Sequence, residues 1–268
     1  MQARHTDRRR YFEEQGLTTQ RHVIPFVSDF LRVDEHLRVL EVGCGEGGNL
    51  APFADLGCTC VGVDLNERQI SHAKAFFKDH PQAAKLQFIY QDIYAADADK
   101  LGQFDLIIMR DVIEHIVDQE RFMAYIPRFL KPDGKLFIGF PPWQMPFGGH
   151  QQICDHRWLA KLPWYHLLPV PLYKAVLKAA GESAATIQEL LEIKATGISI
   201  ERLRRIIGRT GWTVLREQLY LINPNYETKF GIQPRPQWPV LGAIPLLRNF
   251  YTTCVYYVLS FEQVYKSH

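Results

Sequence analysis

The fold of the chain follows from one glycine-rich stretch, Leu37-Arg-Val-Leu-Glu-Val-Gly-Cys-Gly-Glu-Gly-Gly-Asn-Leu50. It opens with a short apolar, β-branched run that ends at Val42 and is typical of a buried strand. The glycines that follow allow a sharp turn and let bare backbone approach a ligand. We expect a helix from about Asn49, so that strand, turn and helix hold a ligand over free backbone N–H groups.

The same glycines admit two other interpretations. Gly43, Gly45 and Gly48 also satisfy the G-x-G-x-x-G fingerprint of dinucleotide-binding folds, which is a weak signal by itself. A tight glycine turn that binds no ligand would have the same sequence. The residues after the turn therefore have to distinguish these alternatives.

Composition limits the class of protein. The 268 residues suffice for one large α/β domain with an added lid or for two small domains, and the 47% hydrophobic content supports a sizeable core. A formal net charge of +2 gives no reason to expect a nucleic-acid partner. Five cysteines without a C-x-x-C pair, and a basic N-terminus without the apolar stretch of a secretory signal, indicate a cytoplasmic protein. The sequence contains no uninterrupted apolar run of about 20 residues, so we predict no membrane span.

An acidic residue ends the second predicted strand. The run 58–63 has strand character and is followed by Asp64. A carboxylate at this position suits a ribose, because its two oxygens can accept both hydroxyl protons. The alternative is a cap for the next predicted helix, 66–77, but Asn66 can provide that cap. We therefore assign Asp64 to a ribose.

A second acid follows the third predicted strand, 85–90. Asp92, between Gln91 and Ile93, is placed to accept a hydrogen bond from the exocyclic amine of an adenine, while Ile93 packs on the ring. The alternative is a solvated loop acid without a ligand. We favour the adenine.

Polar residues follow the fourth predicted strand, 104–109. Arg110, Asp111, Glu114 and His115 come directly after it. Residues at the carboxyl end of a parallel strand face the ligand crevice, so these side chains should border the site.

The alternation of strands and helices continues after this site. A helix is expected over about 119–130, a turn over 131–134 and a fifth strand over 135–140. Strands thus alternate with helices five times, which predicts a doubly wound parallel sheet.

The linked motifs resemble those of class I S-adenosylmethionine-dependent methyltransferases. Glu41-Val-Gly-Cys-Gly45 is similar to the first family motif, Gly62-Val-Asp64 to the second and Gln91-Asp92 to the adenine-side motif. Phe104-Asp-Leu-Ile-Ile108 together with Ile113-Glu-His115 resembles the fourth-strand motif. The motifs are most similar to the branch that contains the ubiquinone-type O-methyltransferases.

The resemblance resumes in the last third of the chain. The run 198–212 is similar to the family's last helix and its turn, which lead into a sixth strand, 213–221, and a seventh, 255–259. The resemblance implies an α/β, Rossmann-like, doubly wound fold with an inserted, mostly helical lid. Its seven-stranded sheet would be parallel except for one antiparallel strand.

The implied organisation has four parts. Residues 1–36 form an N-terminal helical cap and residues 37–140 the Rossmann-like core that binds S-adenosylmethionine. Residues 141–197 form the substrate lid. Residues 198–268 complete the core sheet and include a proline-rich loop insertion at 224–250.

The resemblance also implies S-adenosyl-L-methionine as cofactor and S-adenosyl-L-homocysteine as product. Methyl transfer from a sulfonium is an in-line displacement, so an enzyme has mainly to align acceptor, methyl and sulfur. The residues assigned to the cofactor are Glu41, Gly43, Cys44, Gly45, Gly48, Asn49, Asp64, Leu65, Gln91, Asp92, Ile93, Arg110 and His115.

The lid is aromatic and interrupted by prolines. It contains Trp158 and Trp164, and its predicted helix, 172–180, carries Lys174 and Lys178. An apolar lid suggests a hydrophobic or aromatic small-molecule acceptor. It could also dock peripherally on a membrane, since basic amphipathic segments lie in bilayer interfaces. The alternative is that the aromatic side chains only pack the insertion onto the core.

Oxygen is the favoured acceptor atom, because histidines and acids cluster near the expected site. A hydroxyl acceptor has to lose its proton or have its oxyanion stabilised. His150 follows a Gly-Gly hinge beyond the fifth strand and is the first candidate base. Asp111 is the second catalytic candidate, and His115 and His156 are rivals of His150.

A metal-assisted O-methyltransferase is an alternative. Asp111, Glu114 and His115 resemble the acid-x-x-Glu-His motif of small-RNA 2′-O-methyltransferases and of some ubiquinone-type O-methyltransferases. In those families a later histidine completes the site, which here would be His150. Such ligands suit Mg²⁺, Mn²⁺ or Zn²⁺, which would hold and acidify a hydroxyl. Asp111 departs from the usual glutamate, and Glu114 and His115 could instead brace the following helix without a metal.

Other function classes remain as alternatives. N-methylation of a small molecule is the nearest, because an amine that arrives neutral needs no strong base. An NAD(P)-dependent oxidoreductase is supported only by the glycine fingerprint. A non-catalytic cofactor-binding module would be indicated by a broken glycine loop or a missing Asp64, and the sequence has neither defect. RNA methylation is disfavoured by the near-neutral charge and the lack of a basic aromatic stripe.

Overall fold

The computed structural model describes residues 8–262; the parts of the predicted cap and core at 1–7 and 263–268 lie outside this range. The strands are β1 (Arg38–Val42), β2 (Thr59–Asp64), β3 (Leu86–Tyr90), β4 (Phe104–Arg110), β5 (Leu130–Phe140), β6 (Trp212–Ile222), β7 (Arg235–Pro236) and β8 (Cys254–Phe261). Segment 131–134, predicted as a turn, is therefore part of β5.

The strands form one mixed sheet in the order β3-β2-β1-β4-β5-β8-β6-β7. Strands β1 to β5 pair in parallel, whereas β8 runs antiparallel to both β5 and β6. This arrangement confirms the predicted Rossmann-like, doubly wound fold class. The chain moves outward in opposite directions from β1 and β4, so the carboxyl ends of these two strands border one crevice.

The sheet has one strand more than the seven predicted. Strand β7 pairs antiparallel with β6 at the edge of the sheet, where Pro236 lies opposite Tyr220 and Arg235 opposite Ile222. A strand of two residues has no alternating pattern that a sequence can show. Proline is tolerated there because an edge strand needs hydrogen-bond donors on one side only.

The helices are α1 (Arg8–Thr18), α2 (Ile24–Ser28), α3 (Ala51–Asp55), α4 (Glu67–Phe76), α5 (Ala98–Leu101), α6 (Gln119–Tyr125), α7 (Val170–Ala179), α8 (Ala184–Thr196), α9 (Ile200–Arg209), α10 (Asn225–Phe230), α11 (Pro239–Ala243) and α12 (Leu247–Tyr251). A π-helical turn, Thr19–Val23, joins α1 to α2, where Pro25 lacks the N–H that a continuous α-helix needs. Within residues 8–262, every helix is too short or too polar to cross a bilayer.

Apolar side chains cover both faces of the sheet. Along β4, Ile107 and Met109 pack in the cluster that includes α9, and Leu106 and Ile108 pack in the cluster that includes α2 and α3. All four side chains are fully buried. Burial on both faces explains why β4 is apolar almost throughout, as expected of a central parallel strand.

Two insertions leave the sheet at its carboxyl edge. The first follows β5 and has a small core of its own, in which Tyr173 and Leu177 of α7 pack with Leu190 of α8. The second follows β6 and, although predicted as a loop, contains α10, β7, α11 and α12. Because β5 and β6 end on the same edge, both insertions can cover the crevice.

Candidate active site

The glycine turn lies at the carboxyl end of β1. Gly43, Gly45 and Gly47 have φ angles of 71°, 53° and 80°, which residues with a Cβ rarely adopt. A Cβ on Gly43 would also lie 2.5 Å from a methyl carbon of Val112. The turn therefore depends on glycine, and the helix after it, α3, begins at Ala51, slightly later than predicted.

Asp64 ends β2 beside this turn. Its Oδ2 accepts a hydrogen bond from the Gly45 N–H at 2.7 Å, and its Oδ1 accepts one from the Asn66 N–H at 2.8 Å. Asn66 caps α4 by accepting from the Gln69 N–H at 3.2 Å, as the sequence predicts. The backbone thus orients the Asp64 carboxylate, and each oxygen keeps a second lone pair that a ligand could use.

A buried polar network joins the glycine turn to β1 and β4. Asn49 Nδ2 donates to Glu41 Oε1 at 2.6 Å, and Asn49 Oδ1 accepts from Arg110 Nη1 at 2.7 Å and from the Thr19 hydroxyl at 2.9 Å. Arg110 Nη2 donates to Asn225 Oδ1 at the start of α10. The network therefore links three predicted cofactor residues to a helix of the second insertion.

Glu41 is fully buried in this network. Its Oε2 has no hydrogen-bond partner within residues 8–262. Burial raises the pKa of Glu41 to about 8, against the opposing effects of the Asn49 hydrogen bond and the Arg110 charge. An unpaired buried oxygen is unfavourable, so this atom is a natural partner for a cationic or N–H-donating ligand group.

The residues predicted to hold an adenine follow β3. Asp92 Oδ1 accepts from the backbone N–H two residues further on, at 2.9 Å, and the Gln91 amide donates to a backbone carbonyl of the same loop at 2.8 Å. Ile93 is buried in the main core, and Leu65 is exposed. Cys44 is buried within the glycine turn. Asp92, at the exposed carboxyl end of β3, remains the candidate for the adenine amine.

A cavity of about 650 Å³ opens beside the ends of β4 and β5. Its wall is mostly apolar and comes from four separate parts of the chain: α1, the end of β4, the first insertion and the region of α10. The volume suits a small organic molecule. The apolar and aromatic lining residues are Tyr11, Pro141, Met145, Phe147, Ile153, Ala160, Tyr226, Phe230 and Ile232.

Three polar side chains meet in this cavity. The potential ligand atoms of Glu114, His115 and His150 all lie within 4.8 Å of one another. The two imidazole rings pack edge to face, with centroids 4.9 Å apart. Neither carboxylate oxygen of Glu114 has a hydrogen-bond partner in the part of the chain that the structure describes. The fold thus brings His150 to the Glu-His pair, as the motif implied.

Burial controls the charges of this cluster. It raises the pKa of Glu114 well above the ordinary value, and the Asp111 charge adds to the effect. It lowers the pKa of His115, and it lowers the pKa of His150 to about 3, with further contributions from nearby positive charges. Both imidazoles are therefore neutral at pH 7, the form that accepts a proton or coordinates a cation.

Two other predicted catalytic residues stand apart from the cluster. Asp111 lines the cavity. It is not part of the group within 4.8 Å found among residues 8–262, so that group contains three of the four metal candidates. Its φ of 56° lies in the left-handed region, where strained functional residues often occur. The backbone N–H of His156 donates to Glu182, and this histidine does not line the cavity.

Some cavity residues have no motif in the sequence. Tyr11 reaches the cavity from α1, and Asn225 and Lys229 reach it from α10. These residues lie about a hundred positions or more from Asp111, so no local pattern could identify them. The sequence indicated only that 224–250 is a proline-rich loop insertion.

Comparison with known proteins identifies similar sequences. A family model described as a methyltransferase domain matches residues 11–169. The ubiquinone biosynthesis O-methyltransferase of Bartonella quintana (strain Toulouse) is 35% identical over 133 residues, covering 47% of this chain and 51% of that protein. The mitochondrial ubiquinone biosynthesis O-methyltransferase of Bos taurus is 31% identical over 147 residues, covering 48% and 39%. The chain spans about half the length of the curated relatives it matches.

Solved structures share the fold at low sequence identity. Magnesium protoporphyrin IX methyltransferase from Synechocystis PCC 6803, with bound SAH, has a TM-score of 0.53 at 15% identity, covering 92% of this chain and 83% of that one. The glycopeptide N-methyltransferase MtfA, complexed with S-adenosyl-L-methionine, has a TM-score of 0.53 at 14% identity, covering 92% and 94%. Because these neighbours include an N-methyltransferase, the shared fold does not select an acceptor atom.

Proposed function

The chain belongs to the methyltransferase domain family, as its motifs predict, and we propose an activity from that premise. It transfers the methyl group of S-adenosyl-L-methionine to a hydroxyl oxygen of a small apolar or aromatic molecule. The observation that carries this proposal is the cavity, in which an apolar wall surrounds Glu114, His115 and His150. The match to ubiquinone biosynthesis O-methyltransferases favours oxygen as the acceptor atom.

The residues around the glycine turn fit this cofactor. The bare backbone at Gly43 and Gly45 permits a close approach, Asp64 offers two oriented oxygens to a ribose, and Glu41 Oε2 lacks the donor that an α-amino group would supply. Asp92 is our candidate for the partner of the adenine amine. The cofactor supplies an electrophilic methyl group when bound, and the chain's part is to align that group with the acceptor.

The histidines of the cavity would hold the acceptor hydroxyl. His115 and His150 are neutral at pH 7, so each can accept a hydrogen bond from it. A pKa of about 3 makes His150 a weak base towards an alcohol or phenol, because an effective general base has a pKa near the working pH. Removal of the proton therefore needs a further contribution from the site.

A metal-assisted version is the second candidate, and one observation favours it. Glu114 presents two buried oxygens that lack partners within residues 8–262, beside two neutral imidazoles. Carboxylate and imidazole are a donor set suited to Zn²⁺ or Mn²⁺, and carboxylate also to Mg²⁺. Such a cation would lower the pKa of a hydroxyl. Glu114, His115 and His150 would hold it, and Asp111 would remain a neighbour.

The test compares matched acceptors. Catechol, phenol and aniline derivatives with the same apolar substituent are incubated with the protein and S-adenosyl-L-methionine, with and without EDTA, and the products are identified by mass spectrometry. We expect O-methylated product from the hydroxyl compounds. Methylation of the aniline alone would identify an N-methyltransferase. Failure to bind S-adenosyl-L-methionine in calorimetry would contradict the proposal altogether.

The same assay decides between the two mechanisms. If EDTA abolishes turnover and Mg²⁺, Mn²⁺ or Zn²⁺ restores it, the metal-assisted version is correct. Glu114→Gln should then lose the metal response while it keeps cofactor affinity, since it retains the shape of the side chain. Turnover that EDTA leaves unchanged would exclude the metal-assisted version.

A further inference from the structure

The two insertions expose an apolar surface, and we propose that this surface docks on a lipid bilayer that contains anionic lipid. We call it the docking face and define it as residues 157–172 of the first insertion and 230–247 of the second. The docking itself is independent of the methyl-transfer chemistry. Only its consequence, delivery of an apolar acceptor from the bilayer, rests on the proposed function.

The second insertion exposes large apolar side chains instead of burying them. Trp238, Val240 and Leu246 are 63%, 75% and 66% exposed. Helix α11, which includes Val240, contains no buried residue. The first insertion likewise exposes Trp158, at 68%, and Leu172, at 51%. Several large apolar side chains exposed on the same two insertions are a sign of an interaction site.

The docking face is continuous with the mouth of the acceptor cavity. Phe230 and Ile232 line the cavity and are also exposed. Lys161 of the first insertion also lines the cavity, and the exposed side chains of Trp158 and Leu162 lie close to it in the chain. These side chains would contact the bilayer surface. An apolar molecule could therefore pass from that surface directly into the cavity.

The charges of the docking face have one sign. No aspartate or glutamate occurs in 156–181 or in 228–261, although the whole chain balances 31 basic against 29 acidic residues. Arg157, Lys161 and Arg235 are exposed within these segments. Cations near a bilayer are attracted by anionic headgroups, and acids would be repelled, so the local excess suits an anionic lipid surface.

Side-chain hydrogen bonds hold the end of the second insertion in place. Glu201, in the first turn of α9, accepts from the Leu246 N–H at 3.0 Å, from Arg248 Nε at 2.8 Å and from Asn249 Nδ2 at 2.6 Å. Arg248 and Asn249 are buried. The exposed apolar side chains are thus presented by a fixed segment, and their exposure is a property of the folded protein.

A bilayer fits this face better than a second copy of the chain. The guanidinium of Arg157 lies 5.2 Å from the Trp158 ring centroid, and tryptophan beside a cation is typical of side chains at the headgroup level. A symmetric dimer through the same face would place Arg157, Lys161 and Arg235 of two copies near each other without acids to offset them. Such like-charge juxtaposition disfavours self-association.

The experiment measures flotation of the full chain with vesicles, without cofactor or acceptor. Vesicles of phosphatidylcholine are compared with vesicles that contain phosphatidylglycerol as a third of the lipid. Trp238→Ser/Val240→Ser removes two exposed side chains of the docking face. Leu56→Ser/Val214→Ser is the matched control, because these side chains are 47% and 43% exposed at the amino edge of the sheet.

We expect binding to the anionic vesicles and little to the neutral ones. The partition coefficient should fall at least about tenfold in Trp238→Ser/Val240→Ser and stay unchanged in the control. Arg157→Gln/Arg235→Gln should lower it by about fivefold per charge, as should high salt. Absence of binding to anionic vesicles, or equal binding by Trp238→Ser/Val240→Ser and the wild type, would overturn the proposal.

Two further measurements separate this proposal from the others. Sedimentation velocity reports self-association, and a dimer that Trp238→Ser/Val240→Ser dissociates would show that the face binds a second copy instead. Turnover on an acceptor embedded in anionic vesicles should fall in this variant, while turnover on a water-soluble analogue should not. Vesicle binding without turnover on any acceptor would contradict the proposed function but would support the docking proposal.

Discussion

The proposed cofactor side and the proposed acceptor side of this protein are built in different ways. On the cofactor side, the glycine turn, Asp64 and Asp92 come from 37–92, and backbone hydrogen bonds hold the two carboxylates. On the acceptor side, four remote parts of the chain form the cavity, and Glu114 has no hydrogen-bond partner for either oxygen within residues 8–262. One site is specified by local backbone geometry, and the other by side chains that only the fold brings together.

This difference has a functional consequence. A site made from consecutive β-α units can be kept while insertions after β5 and β6 change the cavity. Substitutions should therefore affect cofactor affinity or turnover separately. The two sides are joined by the hydrogen bonds that Arg110 makes to Asn49 and Asn225. Substitutions in this network should affect both cofactor affinity and turnover.

The sharpest test of the separation is His150→Ala. Loss of a group that holds the acceptor hydroxyl should lower turnover by about 10² to 10⁴-fold. Affinity for S-adenosyl-L-methionine, measured by calorimetry, should remain within about twofold, because His150 lies in the acceptor cavity. His156→Ala is the matched control and should retain activity. Full activity of His150→Ala would exclude this residue as base or ligand.

Asp64→Ala tests the opposite side. Removal of two carboxylate oxygens from a ribose should weaken S-adenosyl-L-methionine binding by roughly 100-fold, or about 3 kcal/mol, since charge-assisted hydrogen bonds are the strong ones. Calorimetry measures the affinity, and circular dichroism checks that the fold is retained. Turnover at saturating cofactor should change much less than affinity. Unchanged affinity would refute the ribose assignment.

Glu41→Gln should change how stability depends on pH. The pKa of Glu41 is about 8 in the folded protein and about 4.3 when unfolded, so the folded state binds the proton more tightly. The free energy of unfolding therefore falls as the pH rises from about 4.3 towards 8, by at most about 1.4 kcal/mol per pH unit. Glu41→Gln should remove this contribution, a difference of about 2 kcal/mol between pH 5 and pH 7.

Urea unfolding of the cofactor-free protein at pH 5, 6 and 7 provides the measurement. Glu114 has a raised pKa as well and contributes in the same direction, but it is present in both proteins and cancels in the comparison. Parallel pH profiles for Glu41→Gln and the wild type would show that the Glu41 carboxyl is not perturbed by burial.

Asn225→Ala probes the connection between the two sides and should have the smallest effect. It removes the acceptor for Arg110 Nη2, which should cost about 1 kcal/mol of stability. The KM for the acceptor and the cofactor affinity should both change by a few-fold, because Asn225 lines the cavity and Arg110 contacts Asn49. Asn225→Asp keeps an acceptor oxygen for Arg110 and should restore both. An effect on one ligand only would show that the sites are not coupled here.

The parts of the site that could be predicted share one property. The Asn66 cap, the glycine turn and the positions of Asp64 and Asp92 at strand ends depend on residues within a few positions of each other. The Glu114-His115 pair was recognisable for the same reason. Patterns among neighbouring residues predict local backbone geometry. The doubly wound order of the strands then places the carboxyl ends of the strands, which carry these residues, on one edge of the sheet.

The parts that could not be predicted depend on long-range packing. The departure of Asp111 from the usual glutamate is visible in the sequence, but only the structure shows, among residues 8–262, that Glu114, His115 and His150 come together without it. Strand β7 and the helices of the second insertion depend on contacts with distant parts of the chain, such as the pairing of β7 with β6 and the hydrogen bonds from Leu246, Arg248 and Asn249 to Glu201. Proline-rich composition alone suggested a loop there.

The sequence by itself determined the fold class, because apolar periodicity and glycine spacing follow from backbone geometry. Its linked motifs resembled those of the family to which the chain belongs, and the residues assigned to the cofactor stay predictions. Only the tertiary structure decided which side chains face the acceptor. Tyr11, Glu114, His150 and Asn225 meet because the sheet order and the two insertions bring distant segments to one edge. The burial that lowers the pKa of His150 and raises that of Glu114 is a property of that assembly, since desolvation depends on all the neighbours that the folded chain supplies.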